Sequence, residues 1–514
     1  MDPESNFRAL PTMKPIDPAE HYDVAIAGGG AIGAALACAL ADSGARALLV
    51  DPSFSPVPPD PGESDIETET SAEATSDRMP SDIPAAFTPR PLALSLASWR
   101  ILETLDIAAS PMNEATPIRS IHISEAGRFG IARLEAERFD LDYFGKVIDA
   151  ACLGRALDEA LRRREIGIGQ RGAGQQDRGR SPDRAPAGGV HRLGGRIDGA
   201  RILARGIAPK LTGQQEPTSL SQPASMATSI SPSGTRSPPP APLDTPFVAS
   251  LLAIADGGRS LLRQSLGFET CKRSYPQRAL ATVVSVRSPH PFTAFERFTP
   301  EGPVALLPMG GTFYGLVLCA TPARIAWLAA ACESDFLAAL DKILGGRMGG
   351  FRTAGRRRSF DLELEYARNI IGRRSVSIGN AAHRLHPVAG QGFNLGLRDA
   401  ACLSQTVMQA KACGRDGGDR QTLFDYRRLR AADHARTRRL TDALVHLFSH
   451  RFSPIALMRA PGLVAFDLLP GLKGALMRQA TGLAGIVPDL ALGIRPPSEG
   501  VFEGIERQDS KGLR

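Results

Sequence analysis

The sequence predicts an α/β fold that combines a Rossmann-like unit, antiparallel strands and a helical C-terminal part. Two segments, which begin at Tyr22 and Val376, each place a glycine turn between a short apolar strand and a helix. Residues 117–148 alternate apolar and polar side chains around a Glu-Ala-Gly turn, which is typical of half-buried antiparallel strands. Residues 422–448 carry the pattern of a helix with a basic face.

The first strand–glycine–helix segment ends on a second strand that closes at Asp51. Gly28, Gly30 and Gly33 fit the GxGxxG fingerprint, whose glycines permit a tight turn, a close pyrophosphate and tight packing of helix on strand. Asp51 stands where an acid holds ribose hydroxyls in that motif. The segment therefore predicts a dinucleotide site, without distinguishing FAD from NAD.

The second segment runs from Val376 to Asp399. Gly390 and Gly392 flank Gln391 immediately before a helical pattern. Such a turn lets the backbone approach a ligand and aims N–H groups at it from the positive end of a helix dipole. An ordinary glycine-rich turn between a strand and a helix gives the same local pattern.

The whole of this second segment resembles the second flavin-binding motif of the FAD-dependent aromatic hydroxylases. In that family Gly-Asp precedes Ala-Ala-His, and a Pro-x-x-Gly-Gln-Gly-x-Asn run follows. The matching residues are Gly379, Ala381, Ala382, His383, Pro387, Gly390, Gln391, Gly392 and Asn394. Asn380 replaces the family's aspartate, which accepts a hydrogen bond from a flavin ribityl hydroxyl. An amide oxygen also accepts such a bond, but without charge assistance.

Two further segments match the same family in the same order. Asp256 and Gly257 follow an apolar strand and precede a helix opened by Ser260 and Arg263, which resembles the family's Asp-Gly motif for flavin and nicotinamide. Asp-Gly alone is usually a turn. Arg90 resembles the arginine that family members place beside the flavin, although a solvated arginine at a helix entry is an equal alternative.

Two strand-like stretches resemble one subgroup, the 2-polyprenyl-6-methoxyphenol hydroxylases of ubiquinone biosynthesis. They are IHISEAGRFG at 121–130 and AFERFTPEGPVALLPM at 294–309. The second stretch contains Glu296 and Arg297, for which a catalytic role and a cross-strand ion pair are the two interpretations, the ion pair being the simpler.

The resemblance implies a para-hydroxybenzoate hydroxylase-like fold: a discontinuous Rossmann-like FAD domain, a mostly antiparallel substrate-binding sheet and a C-terminal helical part. The expected boundaries are an N-terminal extension at 1–21, FAD-domain segments at 22–116, 150–270 and 375–410, substrate-domain segments at 117–149 and 271–374, and the helical region at 411–514. Composition predicts a disordered insertion at 52–84 and a largely disordered one at 165–246, where only GARILARGIAPKL suggests a strand.

The implied activity is FAD-dependent, NAD(P)H-driven hydroxylation of a polyprenylated phenol, in which O2 forms a C4a-hydroperoxyflavin. The flavin carries the hard chemistry, so no metal is expected. The amides of Gly390, Gln391 and Gly392 would act catalytically by stabilising negative charge at the flavin pyrimidine. A complex of ubiquinone-biosynthesis proteins is a further implied partner. The alternatives are another flavoenzyme of the superfamily, such as a prenyl reductase, and a non-catalytic flavin- or lipid-binding subunit.

The composition sets broad limits on these interpretations. The 514-residue chain carries a net charge of +7 and a pI near 9.2, which suits a dinucleotide, an anionic membrane or nucleic acid. The arginines of the second insertion lack interleaved aromatic residues, so nucleic acid is not expected. Seven scattered cysteines without a CxxC pair favour a reducing compartment. We expect a cytoplasmic protein and leave peripheral attachment to the inner face of the membrane open.

Overall fold

The computed structural model describes residues 21–54, 90–107, 115–127, 131–165, 189–194, 196–202, 206–212, 243–244, 247–258, 260–385, 390–449 and 470–495. The strands, in chain order, are β1 (His21–Ala27), β2 (Arg46–Asp51), β3 (Pro91–Ser95), β4 (Thr116–Ile118), β5 (Ser120–Glu125), β6 (Ile131–Glu135), β7 (Gly145–Asp149), β8 (Gly189–Gly194), β9 (Arg196–Ile202), β10 (Ile207–Thr212), β11 (Leu243–Asp244), β12 (Val248–Ile254), β13 (Thr270–Val286), β14 (Thr293–Phe298), β15 (Pro303–Pro308), β16 (Phe313–Ala320), β17 (Phe351–Ala354), β18 (Arg358–Ala367), β19 (Ile371–Gly372), β20 (Ser375–Ser377) and β21 (His383–Arg384). The helices are α1 (Ala31–Asp42), α2 (Leu96–Thr104), α3 (Ala150–Arg163), α4 (Leu261–Ser265), α5 (Pro322–Ala330), α6 (Glu333–Leu344), α7 (Gln391–Ala412), α8 (Arg420–Ser449) and α9 (Pro470–Ala480).

The first sheet is assembled from distant parts of the chain. Strand β1 pairs in parallel with β2 on one side and β12 on the other; β2 continues to β8, and β12 pairs in parallel with β20. Strands β9, β10, β11 and β19 add antiparallel pairs at the margin. These neighbours come from three separated segments, so the expected discontinuous Rossmann-like sheet is confirmed.

The second sheet is mostly antiparallel, as expected. Its order is β21-β18-β13-β16-β15-β14-β5-β6, with β17 on β13, and only the β14–β5 pair is parallel. A third, three-stranded sheet has the order β3-β7-β4. Helices α5 and α6 pack on one face of the second sheet, where Phe336 and Leu340 are fully buried against its apolar side chains. The opposite face is therefore left for contacts with the rest of the molecule.

Local sequence signals fix several helix starts. Ser95 caps α2 by accepting a hydrogen bond from the backbone of Ser98, and Asp149 accepts one from Ala151 at the start of α3. Thr321 caps α5, which has proline at its first turn. The alanine-rich α1 instead begins after Gly30 with no side-chain cap.

The structure departs from the sequence interpretation in the second insertion. Residues 189–212 contribute β8, β9 and β10, although 165–246 was expected to be largely disordered. Strand β8 lies at the edge of the sheet, where one partner, β2, suffices and apolar alternation is not required. The predicted single strand in GARILARGIAPKL is an antiparallel β9–β10 pair. Residues 166–188 and most of 213–246 lie outside the described residues.

The first insertion and the chain ends are described only in part. Pro52–Phe54, placed in the disordered insertion by composition, form a 3-10 turn directly after β2. Residues 55–84 and 1–20 lie outside the described residues, as does Pro387. Within the part of the chain that is described, no helix is both long enough and apolar enough to cross a bilayer.

Candidate active site

The GxGxxG turn joins β1 to α1 and depends on its glycines. Gly28 has φ +103°, and a Cβ there would lie 2.6 Å from the Ala255 carbonyl oxygen. A Cβ on Gly33 would lie 1.9 Å from the Gly28 oxygen, so only glycine lets α1 meet the strand this closely. At Gly30, by contrast, a Cβ would meet no protein atom within 4 Å. The start of α1 therefore faces open space at Gly30.

Asp51 closes the next strand beside this turn. Its Oδ2 accepts a hydrogen bond from the backbone of Gly29 at 2.6 Å, and its Oδ1 accepts from the backbone and hydroxyl of Ser53 at 2.9 and 2.6 Å. The carboxylate thus holds the glycine turn and the residues after β2 in place. Oδ2 accepts only one of these bonds and retains a lone pair, so a ribose hydroxyl can still donate to it.

The Asp-Gly motif lies directly against the glycine turn. Gly257 has φ +92°, and the Cα of Asp256 would lie 2.7 Å from a Cβ on Gly28. Asp256 accepts a hydrogen bond from the Ser260 hydroxyl at 2.8 Å, and Ser260 caps α4. The two motifs that the sequence identified independently are therefore neighbours in space.

Arg263 faces the protein interior rather than an open site. Its side chain is 1% exposed and forms a buried ion pair with Glu365. Its other hydrogen bonds go to the carbonyl oxygens of Ala381 at 2.6 Å and Gly258 at 3.1 Å. Arg263 therefore links the Asp-Gly motif to the Gly379–Ala381 turn, and its predicted direct contact with the cofactor stays a prediction.

The Gly379 turn follows β20 and lies against the start of α1. Gly379 has φ +58°, and a Cβ there would lie 3.2 Å from the side chain of Ile32. The next residue, Asn380, is exposed, and none of the described residues contacts its side chain through a hydrogen bond. The amide is thus at the surface, and the Asn380 backbone oxygen would lie 3.8 Å from a Cβ on Gly258.

The Gly390 turn begins α7, with Gly390 in the left-handed region at φ +58° and ψ +26°. Asn394 shapes this turn. Its Oδ1 accepts a hydrogen bond from the backbone of Ser95 at 2.8 Å, and its Nδ2 donates to the oxygens of Ala93 and Gly390 at 2.9 and 2.8 Å. Gln391 is buried and Gly392 half-buried behind the turn. The amide of Asn394 therefore holds the turn against β3 through these hydrogen bonds.

Below the turn, α7 carries Asp399, which is fully buried. Its Oδ2 lies 2.6 Å from Nε2 of His383 and accepts a hydrogen bond from the Gly379 backbone at 3.3 Å. Its Oδ1 lies 2.7 Å from both Nε2 of His434 and Nε of Arg430. One carboxylate thus joins the second flavin-type motif to helix α8.

The charge of Asp399 is stabilised by three neighbouring side chains. Burial opposes that charge, but the neighbouring His434, Arg430 and His383 outweigh burial and hold the pKa of Asp399 well below its usual range. Burial lowers the pKa of His434 itself, so at neutral pH the permanent cation is Arg430. Asp433 lies 2.8 Å from Nη1 of Arg430 and accepts a hydrogen bond from Nε of Arg398 at 2.8 Å.

His383, Asp399 and His434 also bring three donor atoms of metal-ligand type within 4.8 Å of one another. Both imidazoles are hydrogen-bonded to the carboxylate, and Arg430 holds a positive charge against the same oxygen as His434. A second cation at this point would be repelled by the guanidinium. The chemistry of the group therefore suits a hydrogen-bonded ion network.

The face of the second sheet that is opposite α5 and α6 is turned toward β3. Gly315 on β16 is in contact with Pro91, since a Cβ on Gly315 would lie 2.4 Å from the proline ring. Pro91 follows Arg90, whose side chain is exposed and whose carbonyl oxygen accepts a hydrogen bond from Ala150. Strand β3 thus lies between this sheet face and the Gly390 turn, with Arg90 at its start.

These features together fit a flavin dinucleotide. The Gly379 turn lies against Ile32 of α1, Asn380 is exposed beside it, and the backbone has open space at Gly30, where an added Cβ would meet no protein atom. Within the described residues, no side chain caps the start of either α1 or α7. The fold and the site therefore define an FAD-binding α/β protein with a separate sheet beside the flavin region.

Comparison with known proteins identifies the family. Residues 244–437 match the FAD binding domain family. The ubiquinone hydroxylase UbiL of Rhodospirillum rubrum is 30% identical over 478 residues, which cover 92% of this chain and 91% of that protein. The chain belongs to the family of FAD-dependent aromatic hydroxylases that includes these ubiquinone hydroxylases, and it is an FAD-dependent monooxygenase.

Other relatives agree with this assignment. The 3-demethoxyubiquinol 3-hydroxylase of Escherichia coli is 31% identical over 235 residues, which cover 46% of this chain and 60% of that protein. The crystal structure of p-nitrophenol 4-monooxygenase PnpA from Pseudomonas putida DLL-E4 matches with a TM-score of 0.60 and 16% identity, covering 91% of this chain and 99% of that chain. That structural match supports the fold.

Sequence reasoning identified the turns but missed the residues that hold them. Asp399, Arg430, His434 and Glu365 were not singled out, although all contact the predicted motifs. A signal was present for Asp399: an adjacent Arg-Asp pair interrupts an otherwise apolar run in α7. The partners on α8 are too distant in sequence for spacing to indicate them.

Proposed function

We propose that this monooxygenase hydroxylates the aromatic ring of a polyprenylated phenol of the 2-polyprenyl-6-methoxyphenol type in ubiquinone biosynthesis, using NAD(P)H and O2. The observation that carries the proposal is the similarity to the Rhodospirillum rubrum ubiquinone hydroxylase across 92% of the chain. The sheet face beside β3 supports it, since its small and apolar residues suit an uncharged aromatic ring better than an anion.

The chain's own residues supply binding, orientation and charge stabilisation. When bound, FAD supplies the activation of O2 and the transfer of one oxygen atom to the substrate. The turn at Gly30 would hold the pyrophosphate, and Asp51 would accept hydrogen bonds from ribose hydroxyls. The backbone amides at the Gly390 turn and the start of α7 would stabilise negative charge on the flavin ring. Asn394 keeps that turn in position.

The test is reduced-nicotinamide oxidation by the FAD-loaded protein with 2-geranyl-6-methoxyphenol, followed by mass analysis of the product. We expect oxidation to be stimulated by the phenol and the product to be heavier by one oxygen atom. A product heavier by two hydrogens would identify a prenyl reductase. Tight binding of FAD and the phenol with no turnover, with either NADH or NADPH as donor, would identify a non-catalytic subunit.

We further propose that the protein associates peripherally with an anionic membrane, because a polyprenylated substrate resides in the bilayer. Ile486, Leu492 and Ile494 are each more than half exposed, and the Arg495 that follows them is ion-paired with Asp106. Exposed apolar side chains on a chain of net charge +7 suit the interface between anionic headgroups and acyl chains. Co-sedimentation with vesicles containing phosphatidylglycerol should exceed that with phosphatidylcholine alone and should fall in an Ile486→Ser/Ile494→Ser variant. Equal recovery from both vesicle types would contradict the proposal.

A further inference from the structure

Glu296 is a carboxylate in the middle of the second sheet. It lies on β14, between Ile123 of β5 and Ala305 of β15. Two residues earlier on the same strand, Ala294 belongs to the apolar cluster between this sheet and the three-stranded β3-β7-β4 sheet. Because side chains on a strand alternate between faces, Glu296 shares the face of Ala294 and points away from α5 and α6.

The side chains around Glu296 are partly accessible on its own face of the sheet, whereas those on the opposite face are buried. Ile123, Glu296, Ala305 and Val317 occupy one row across four strands and are all partly accessible. Their neighbours on the opposite face of the same strands, such as Leu316, are buried. The row avoids both edge strands and is on the face that packs against the β3-β7-β4 sheet, so its accessible surface borders a space on that side of the sheet.

The space lies next to the flavin region. Gly315, which is in contact with Pro91, is on the same face as Val317 and two residues away along β16. Glu296 lies two strands further across the sheet, roughly 10 Å from β16. It is therefore on the same sheet face as the contact with β3 and a short distance across the sheet from that contact.

Glu296 has no hydrogen-bond or ion-pair partner among the described residues. The simpler sequence interpretation, a cross-strand ion pair, is not observed. Arg297 points to the opposite face, where it donates to the Ile343 oxygen at 2.8 Å and to the Ser124 hydroxyl at 3.4 Å. Enclosure by the protein raises the pKa of Glu296 to about 7. An enclosed carboxyl group without a partner is costly, and it is retained here at the edge of an internal space.

We propose that Glu296 accepts a hydrogen bond from the ring hydroxyl of the substrate, and that it selects neutral phenols over aromatic acids. This proposal rests on the proposed function and names the group that recognises the phenol. An ionised carboxylate accepts a strong hydrogen bond from a phenol hydroxyl, which increases electron density on the ring carbons that take up oxygen. It repels a second carboxylate in the same enclosed space. Glu296 is therefore a catalytic residue that contacts substrate.

The test compares binding of 2-geranyl-6-methoxyphenol, its O-methyl ether and 3-geranyl-4-hydroxybenzoate by equilibrium dialysis with the FAD-loaded protein. The wild type should bind the phenol about tenfold more tightly than the ether, because the ether cannot donate a hydrogen bond. That preference should increase as pH rises through about 7, where the carboxyl group ionises. In Glu296→Leu the phenol and ether should bind within about twofold of each other, with no pH dependence.

Binding of the aromatic acid 3-geranyl-4-hydroxybenzoate gives a second test, because a misfolded variant cannot gain affinity for it. Glu296→Gln should bind 3-geranyl-4-hydroxybenzoate about tenfold more tightly than the wild type does, because the like charge is removed. The control is Glu301→Gln, which removes a carboxylate from the loop after β14 that lies 3.8 Å from Arg324. It should leave all three affinities unchanged.

The outcomes separate the two proposals. If the wild type binds the phenol and the ether equally, or if Glu296→Gln gains no affinity for the acid, the role of Glu296 is overturned while the proposed function stands. If the wild type binds neither the phenol nor the ether, the substrate class itself is wrong, and the role of Glu296 falls with it.

Discussion

The side-chain oxygen of Asn394 accepts a hydrogen bond from the backbone amide of Ser95, 299 residues earlier in the chain. Ser95 ends β3 and caps α2, whereas Asn394 is in the first turn of α7. The bond therefore fixes the Gly390 turn relative to β3, which contacts the second sheet through Pro91. The positions of the Gly390 turn and the second sheet are coupled through one buried amide.

Replacing Asn394 with leucine should destabilise the protein by about 3 kcal/mol, because the buried Ser95 amide and the part-buried carbonyls of Ala93 and Gly390 lose their partner. FAD affinity should fall as well, since the Gly390 turn is no longer held. Urea unfolding of the apo-protein and titration with FAD measure the two effects. Asn369→Ala is the control, because that asparagine is exposed and accepts one long bond of 3.5 Å. Equal losses in both variants would contradict the role of Asn394.

The buried pair of Arg263 and Glu365 gives a second prediction. Arg263→Met leaves the Glu365 carboxylate buried without its main partner and should cost about 3–5 kcal/mol in the free energy of unfolding. The double variant Arg263→Met/Glu365→Leu should recover more than half of that loss. The control is the pair of Arg278, which is half-buried, and Asp361, which is 70% exposed; Arg278→Met should cost about 1 kcal/mol or less.

The same variants decide how Arg263 acts on the flavin. The FAD content of the purified double variant should return with stability, because Arg263 faces carbonyl oxygens and Glu365 rather than open space. If stability returns and FAD binding does not, Arg263 contacts the cofactor directly, as the sequence resemblance implied.

The ion network under the Gly390 turn predicts a loss of stability in acid. Burial alone would raise the pKa of Asp433, but Arg398 and Arg430 outweigh burial and lower it to about 2. Because the folded-state pKa is below the unfolded value of about 3.9, the stabilisation is present above pH 4. It should be lost between about pH 4 and pH 2, to the extent of about 2–3 kcal/mol.

Measuring the free energy of unfolding against pH tests this expectation. In Asp433→Asn the curve should be flatter between pH 4 and pH 2, whatever the stability of that variant at neutral pH. Asp361→Asn, which removes a 70%-exposed carboxylate paired with Arg278, should leave the acid slope unchanged. An unchanged slope in Asp433→Asn would mean that this carboxyl group does not titrate with unfolding.

The glycine turns could be predicted from sequence because each depends on local backbone conformation. Gly28, Gly257, Gly379 and Gly390 all have positive φ, and their spacing within short segments is visible in the chain. The contacts between the turns could not be predicted, since Asn394 and Ser95 or Arg263 and Glu365 are brought together only by folding. Strand β8 was missed because an edge strand paired on one side needs few apolar residues. Composition consequently indicated disorder there.

Asn380 gives the last prediction, because it stands where the family has aspartate. Its side chain is exposed at the Gly379 turn and forms no hydrogen bond within the described part of the chain, so the amide oxygen can accept one from a flavin hydroxyl.

A neutral acceptor in place of a charged one costs on the order of 1 kcal/mol, which is somewhat under tenfold in affinity. Asn380→Asp should therefore bind FAD several-fold more tightly than the wild type, with the reaction type unchanged. Asn380→Leu offers no acceptor and should bind FAD more weakly than the wild type by more than that factor. Titration of the three apo-proteins with FAD decides the matter, with Asn369→Leu as a control at an exposed asparagine on the turn before β19. If all three forms bind FAD equally, residue 380 does not contact the flavin, and the match of the Gly379 turn to the second flavin-binding motif is wrong at this position.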